Sequence, residues 1–357
     1  NRRRGLHVRI ADAIERLYRD RLAEQVERLA YHAFRGEVWE KAVTYLRQAG
    51  AKAALRSAHR EAAVYFEQAL AALEHLPESR DTLEQAIDLR FDLRTALIPL
   101  GEYGRILDYL REAETIAETL DDSQRLGRIY VYVTSYFREV GDYDRATESG
   151  QRALSIADAL GDLTLQVPAN HFLAQVCFDQ GDYRQGSAFC RRNLESLAGE
   201  LRHERLGLPY LPFVHTRTWL LCCLAELGEF TEGIELGEQG ILTAESADHP
   251  FSLTSAYWGL GRLHLRRGDL DRAISLLERG FELSRLWSIR ILFPSLATDL
   301  GSAHALSGHV TQALPLLEQA REQHEAIRKT ASLSFRLSSL SQAYLLADRP
   351  DDAAELA

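Results

Sequence analysis

The chain has 357 residues, 46% hydrophobic and 26% charged, a balance that excludes wholesale disorder. Its 42 basic and 52 acidic side chains leave a formal charge of −10, the wrong sign for a protein that neutralises phosphates, so no direct nucleic-acid partner is expected. No apolar run approaches the roughly 20 residues that span a bilayer, so no membrane partner is expected either. No apolar segment follows the basic start at Arg2, Arg3 and Arg4, as a secretory leader would require. Only three of the basic residues are lysines (Lys41, Lys52, Lys329), the bias of a GC-rich bacterial genome. The chain has no Met and begins with Asn, which implies a start inside a longer protein. Its four cysteines (Cys177, Cys190, Cys222, Cys223) lack zinc spacing. They suit small buried hydrophobes in a reducing, cytoplasmic setting. Cys177 and Cys190 should face each other across one hairpin without a disulfide.

In chain order, residues 1–20 read as the end of a preceding module. Residues 21–80 form a helical junction, with helices expected over Leu22–Phe34, Trp39–Leu55 and Glu61–Leu76. From residue 81 to 357 a turn signal recurs: Gly, an acidic residue, then an aromatic or aliphatic one. It stands at Gly101, Gly141, Gly181, Gly228 and Gly268, more weakly at Gly308, and in degenerate form at Asp348, truncating the last repeat. The spacings are 40, 40, 47, 40, 40 and 40, which is the mark of a repeat array. Each period holds two helical patterns. Leu126, Ile129, Tyr130, Val133 and Phe137 lie on one helix face before Gly141. After the turn, Ala146, Gly150, Ala153, Leu154 and Ala157 do the same. Gly ends the first helix by adopting the left-handed conformation, and the following acid complements the next helix's dipole. Small residues five and twelve positions after the Gly (Ala146/Ala153, Gly233/Gly240, Ala313/Ala320) let neighbouring helices close in. The expected fold is all-α: a right-handed α-solenoid of antiparallel helix pairs with a period of 40.

These residues resemble the tetratricopeptide repeat, with its Gly-Asp-Tyr turn and its Ala five and twelve residues later. The match runs from Gly141-Asp142-Tyr143 through Ala146 to Ala153, and from Gly308 through Ala313 and Leu317 to Ala320. The period departs from that family's usual value of about 34, and Gly150, Cys190 and Gly237 stand where it carries an aromatic residue. The junction wording, such as Leu29-Ala30-Tyr31-His32-Ala33 and Ala62-Ala63-Val64-Tyr65-Phe66, resembles that of large bacterial signalling proteins. In these an ATPase module hands over to a repeat region, and Leu6–Glu15 resembles the last helix of that module. They include ATPase-linked class III adenylate/guanylate cyclases and ATP-dependent transcription regulators. Glu84–Arg90 and Leu276–Gly280 suit the cyclase-linked group best.

No phosphate loop, nucleophile elbow or His-Glu-x-x-His helix occurs, and the carboxylate pairs Asp121-Asp122 and Asp351-Asp352 fit helix caps. No catalytic residue, cofactor or metal is therefore expected. The resemblance implies instead a groove lined by the first helix of each pair, at positions 13, 10, 6, 3 and 2 residues before the turn Gly. In the middle repeats these positions hold His171, Gln175, Phe178, His215, Trp258, Arg262 and Arg266, a mixed aromatic and basic set of the kind that makes hot spots. The competing reading places Trp258 and Phe178 in the core between repeats. The longer spacing before Gly228 fits an insertion at Ala198–Pro209, either a surface loop or one that reaches over the groove. The implied function is a non-catalytic interaction or sensor region of a larger bacterial signalling protein. A transcription-regulator effector domain and a stand-alone scaffold are the alternatives. The expected partner is a protein or peptide, the upstream ATPase module, or a small effector, with homo-oligomers allowed.

Overall fold

The structure, a computed structural model, describes residues 2–287, 289–326 and 330–356. Among these residues all regular structure is helical. The chain divides into two units, residues 1–132 and 133–357, with the division falling inside one helix. Unit 1 begins with α1 (Arg2–Leu17), followed by a short 3-10 segment (Arg19–Gln25), α2 (Val26–Arg35), α3 (Trp39–Leu55) and α4 (His59–Leu73). It continues with α5 (Arg80–Leu97), α6 (Tyr103–Thr119) and the first part of α7 (Ser123–Val140). Unit 2 takes up the last part of α7 and adds α8 (Tyr143–Leu160), α9 (Leu163–Asp179), α10 (Tyr183–Ser196), α11 (Pro212–Leu227) and α12 (Phe230–Ser246). Then come α13 (Pro250–Arg267), α14 (Leu270–Leu286), α15 (Phe293–Leu306), α16 (Val310–Ala326), α17 (Leu333–Leu346) and α18 (Pro350–Ala354).

The turns stand where the glycines place them. Gly141 and Gly268 have φ of 83° and 86°, and Gly101, Gly181, Gly228 and Gly308 are likewise left-handed. Asp348 adopts the same conformation without being glycine (φ 57°), which Asp tolerates better than most residues. Asp142 and Asp182 then cap the next helix, their side chains accepting from the backbone N–H groups of Arg145 and Gln185. The junction helices α2, α3 and α4 already use this device, since Glu37 and Ser57 have φ of 54° and 59° between them.

Packing follows the small residues. Ala146, Ala153, Ala273, Ala313 and Ala320 are fully buried. At Gly259 a Cβ would lie 3.2 Å from the Cα of Thr218 and 3.3 Å from its carbonyl oxygen, so α13 crosses α11 nearly backbone to backbone. In unit 2 the first helices of successive pairs touch one another (α9 with α11, α11 with α13, α13 with α15, α15 with α17), while each second helix packs on the first helices beside it. The first helices thus form a continuous layer. Ala146→Leu and Ala313→Leu are expected to destabilise by about 1–3 kcal/mol each through overpacking. Exposed changes on second helices, such as Arg152→Ala, should cost far less. Denaturant midpoints measure the difference, and unchanged midpoints for both leucine variants would contradict this packing.

Candidate functional site

The layer of first helices carries two adjoining polar clusters. The first is built from α9, α11 and α13. The Gln175 amide donates to His171 Nε2 across 2.7 Å, which requires that nitrogen to be unprotonated. His215 Nδ1 lies 2.9 Å from Ser255 Oγ, and the Ser255 hydroxyl also meets Thr218 Oγ1 at 3.2 Å. The two imidazoles stand 4.8 Å apart. Burial holds both neutral: it pulls His215 down to about 4 and His171 well below its usual value, with His215 and Arg138 adding to the effect.

Tyr210 covers this pair, its ring 4.4 Å from His215 and stacked on Phe251 at 5.7 Å. It follows directly on the expected insertion, whose Gly199–His203 part is a 3-10 turn. The chain is tied down there by the Leu211 N–H donating to Ser252 Oγ and by Leu206 packing with Phe213, Val167 and Leu197. The end of the insertion therefore contributes a ring to the cluster, a contribution that length alone did not indicate.

The second cluster is charged and aromatic. Arg138 Nε meets Asp179 Oδ2 at 2.7 Å, and its guanidinium lies over Trp219. Burial alone would lower the Arg138 pKa, but Asp179 and Glu139 hold it raised. Trp219 links edge-to-face to Phe178 at 5.7 Å and to Trp258 at 5.8 Å. The indole N–H of Trp258 donates to Asp299 at 2.7 Å, and Arg262 donates to the same carboxylate at 3.1 Å. Arg262 also reaches Glu226 at 3.1 Å, which in turn accepts from Arg266 at 2.9 Å. These carboxylates keep Arg262 charged against its burial.

All seven candidate residues thus stand on the three neighbouring helices that the repeat register named. They do not form an open groove. His171, Gln175, His215, Trp258 and Arg262 are buried, Phe178 is half-buried and Arg266 is exposed. The reason is mutual pairing: His171 with Gln175, His215 with Ser255, and Trp258 and Arg262 with Asp299, and Trp258 also joins the core with Leu265, Leu296 and Leu300. Sequence reasoning missed Asp299, Trp219, Tyr210 and Arg336. Asp299 has a signal in hindsight, because it is the lone acid on α15.

The cysteines are free and their thiols are pushed up by burial, Cys177 to about 11 and Cys222 to about 12. Such thiols are poor nucleophiles. Among the described residues no group of His, Cys, Asp or Glu is placed to hold a metal ion. No helix among them is long and apolar enough to cross a membrane.

Residues 254–279 match the tetratricopeptide repeat model. No curated protein matches the chain. Among solved structures, the apo form of RapI superposes with a TM-score of 0.64 at 13% identity, over 80% of this chain and 98% of that one. The Rap conjugation regulator of plasmid pLS20, solved with its Phr peptide, gives 0.62 at 16% identity, over 85% and 77%. A STAND signal-transduction ATPase with a tetratricopeptide repeat sensor, from Pyrococcus horikoshii, gives 0.54 at 10% identity. This chain aligns along its whole length with 52% of that protein. The chain accordingly has the fold of tetratricopeptide-like helical solenoids.

Proposed function

We propose that this chain is a non-catalytic, protein- or peptide-binding sensor region of a larger cytoplasmic signalling protein of bacterial type. Its binding surface is the layer of first helices in unit 2, presented through the exposed Arg266 and half-buried Phe178 and backed by the buried His171, Gln175, His215, Trp258 and Arg262. The observation that carries this reading is the convergence of aromatic rings and paired charges on α9, α11 and α13. An extended layer of Trp, Phe and Arg is hot-spot chemistry, and the Arg forks suit carboxylate or amide groups. Two likenesses support it: a Rap regulator was solved with a peptide, and a STAND ATPase carries a repeat sensor. The regulated module is an ATPase linked to an adenylate/guanylate cyclase: the junction wording at Leu29–Ala33 and Ala62–Phe66 supports the ATPase, and Glu84–Arg90 with Leu276–Gly280 supports the cyclase link.

The test is titration of the wild-type chain and Arg266→Glu with a purified partner. Arg266 is exposed but pairs with Glu226, so the melting temperature of the variant is measured alongside to show that it remains folded. Reversing its charge should weaken binding about tenfold or more. Unchanged affinity for a partner that binds this chain would overturn the assignment of the surface. The purified chain should also fail to turn over ATP or GTP, because it has no phosphate loop. Turnover that is lost on mutating a residue within the chain would contradict that expectation.

A further inference from the structure

The turn before α17 returns to the end of α7. The backbone N–H groups of Thr330 and Ala331 both donate to the Glu139 carbonyl at the end of α7, at 2.9 and 3.3 Å. The Thr330 methyl stands 3.3 Å from where a Cβ on Gly141 would be. Ser332 is left-handed (φ 61°), and its side chain is close enough to the Asp179 carboxylate to favour its charged form. The turn aims the first residues of α17 at the charged cluster. Phe335 lies beneath two guanidiniums, 4.7 Å from Arg262 and 5.4 Å from Arg266. Arg336 is buried beside it, with hydrogen bonds to the Ser332 carbonyl and to Ser295 Oγ. Both acceptors are neutral oxygens. Burial pulls the Arg336 pKa down to about 10, and the nearby Asp299 and Glu139 carboxylates recover only part of the loss. A contact between two ends of a repeat unit rests on few bonds and is a natural place for local opening.

Building on the binding reading above, we propose that Ser332–Arg336 is the built-in occupant of that surface. It holds the first helices of unit 2 closed. The ligand that replaces it is a peptide segment presenting an aromatic ring beside a cationic side chain. The chemistry comes from the occupant: Phe335 offers a π-face to Arg262 and Arg266, and Arg336 places a cation among Asp299 and Glu139. A competing segment must satisfy the same groups, and its affinity is reduced by the fraction of time that the site is shut.

The chain carries its own reporters. Cys222 is buried at 1% exposure on α11, next to the charges of Arg262 and Asp299. Cys190, at 2% exposure on the second helix α10, is a control for unfolding. Alkylation of the full chain with iodoacetamide, located by mass spectrometry, should modify Cys222 roughly tenfold faster in the Phe335→Ala/Arg336→Ala variant than in wild type. Cys190 should stay slow. A synthetic peptide of residues 332–338 (Ser-Leu-Ser-Phe-Arg-Leu-Ser) should slow Cys222 again. An unchanged Cys222 rate overturns the proposal. So does equal acceleration at both cysteines, which would mean that the pair only stabilises the fold, and so does a peptide that gives no protection. No partner enters this readout, so it fails or holds separately from the Arg266 titration.

Discussion

Asp299→Ala should lose about 3–5 kcal/mol of stability, the cost of removing one member of a buried ion pair. Asp299 is 1% exposed and accepts from both Trp258 and Arg262. Its removal leaves an indole N–H without an acceptor and Arg262 with Glu226 as its remaining carboxylate. Replacing both members by apolar residues, as in Arg262→Met/Asp299→Leu, should cost much less than the sum of the two single changes. The charges are then removed together with their desolvation penalty. In a repeat array the loss is local and spreads through neighbouring interfaces. Hydrogen exchange should therefore place it in α11 to α15, and denaturant unfolding should give its size. A single variant that costs under about 1 kcal/mol would show that this carboxylate is not the buried hub described here.

The second large effect is a loss of stability in mild acid. His215 has a folded pKa of about 4 against 6.5 for a free imidazole, and His171 is depressed in the same direction. Between those values the unfolded chain binds protons that the folded chain refuses. Stability is therefore complete above pH 6.5 and falls as the pH drops toward 4, by about 3 kcal/mol for His215 alone. Carboxylates held below their usual values, such as Asp158 and Glu232, add to the fall only at its lower end, so the informative window is pH 6.5 to 5. Melting temperature across that window should fall in wild type and fall less steeply in His215→Asn. Parallel profiles would contradict a buried neutral imidazole at this position.

The repeat geometry was legible because its determinants are local. A left-handed turn such as those at Gly141 and Gly268 favours glycine whatever surrounds it, and Ala146 and Ala313 declare a close helix approach by their size. Of the junction helices, Trp39–Leu55 is observed at its expected bounds, whereas those expected over Leu22–Phe34 and Glu61–Leu76 run Val26–Arg35 and His59–Leu73. The candidate residues were placed on the correct helices, yet their exposure was not readable. Whether Trp258 faces a ligand or a core depends on Asp299, which lies a full repeat away and one position off the pattern that marks facing residues. Tyr210 was missed because its role depends on how an irregular insertion returns to α11. Arg336 was missed because a periodic reading treats α17 as the next copy in a series. It contains nothing about the turn before α17 donating back to the Glu139 carbonyl of α7.

The central claim is that partners engage the layer of first helices. Its most direct test places a photo-crosslinking amino acid at Arg266, on the edge of that layer, and in a second variant at Arg279, which is 61% exposed on the second helix α14. After irradiation in cells, the position of Arg266 should yield a discrete partner adduct and that of Arg279 should yield none. Adducts from Arg279 without any from Arg266 would place the binding surface on the second helices and contradict the account.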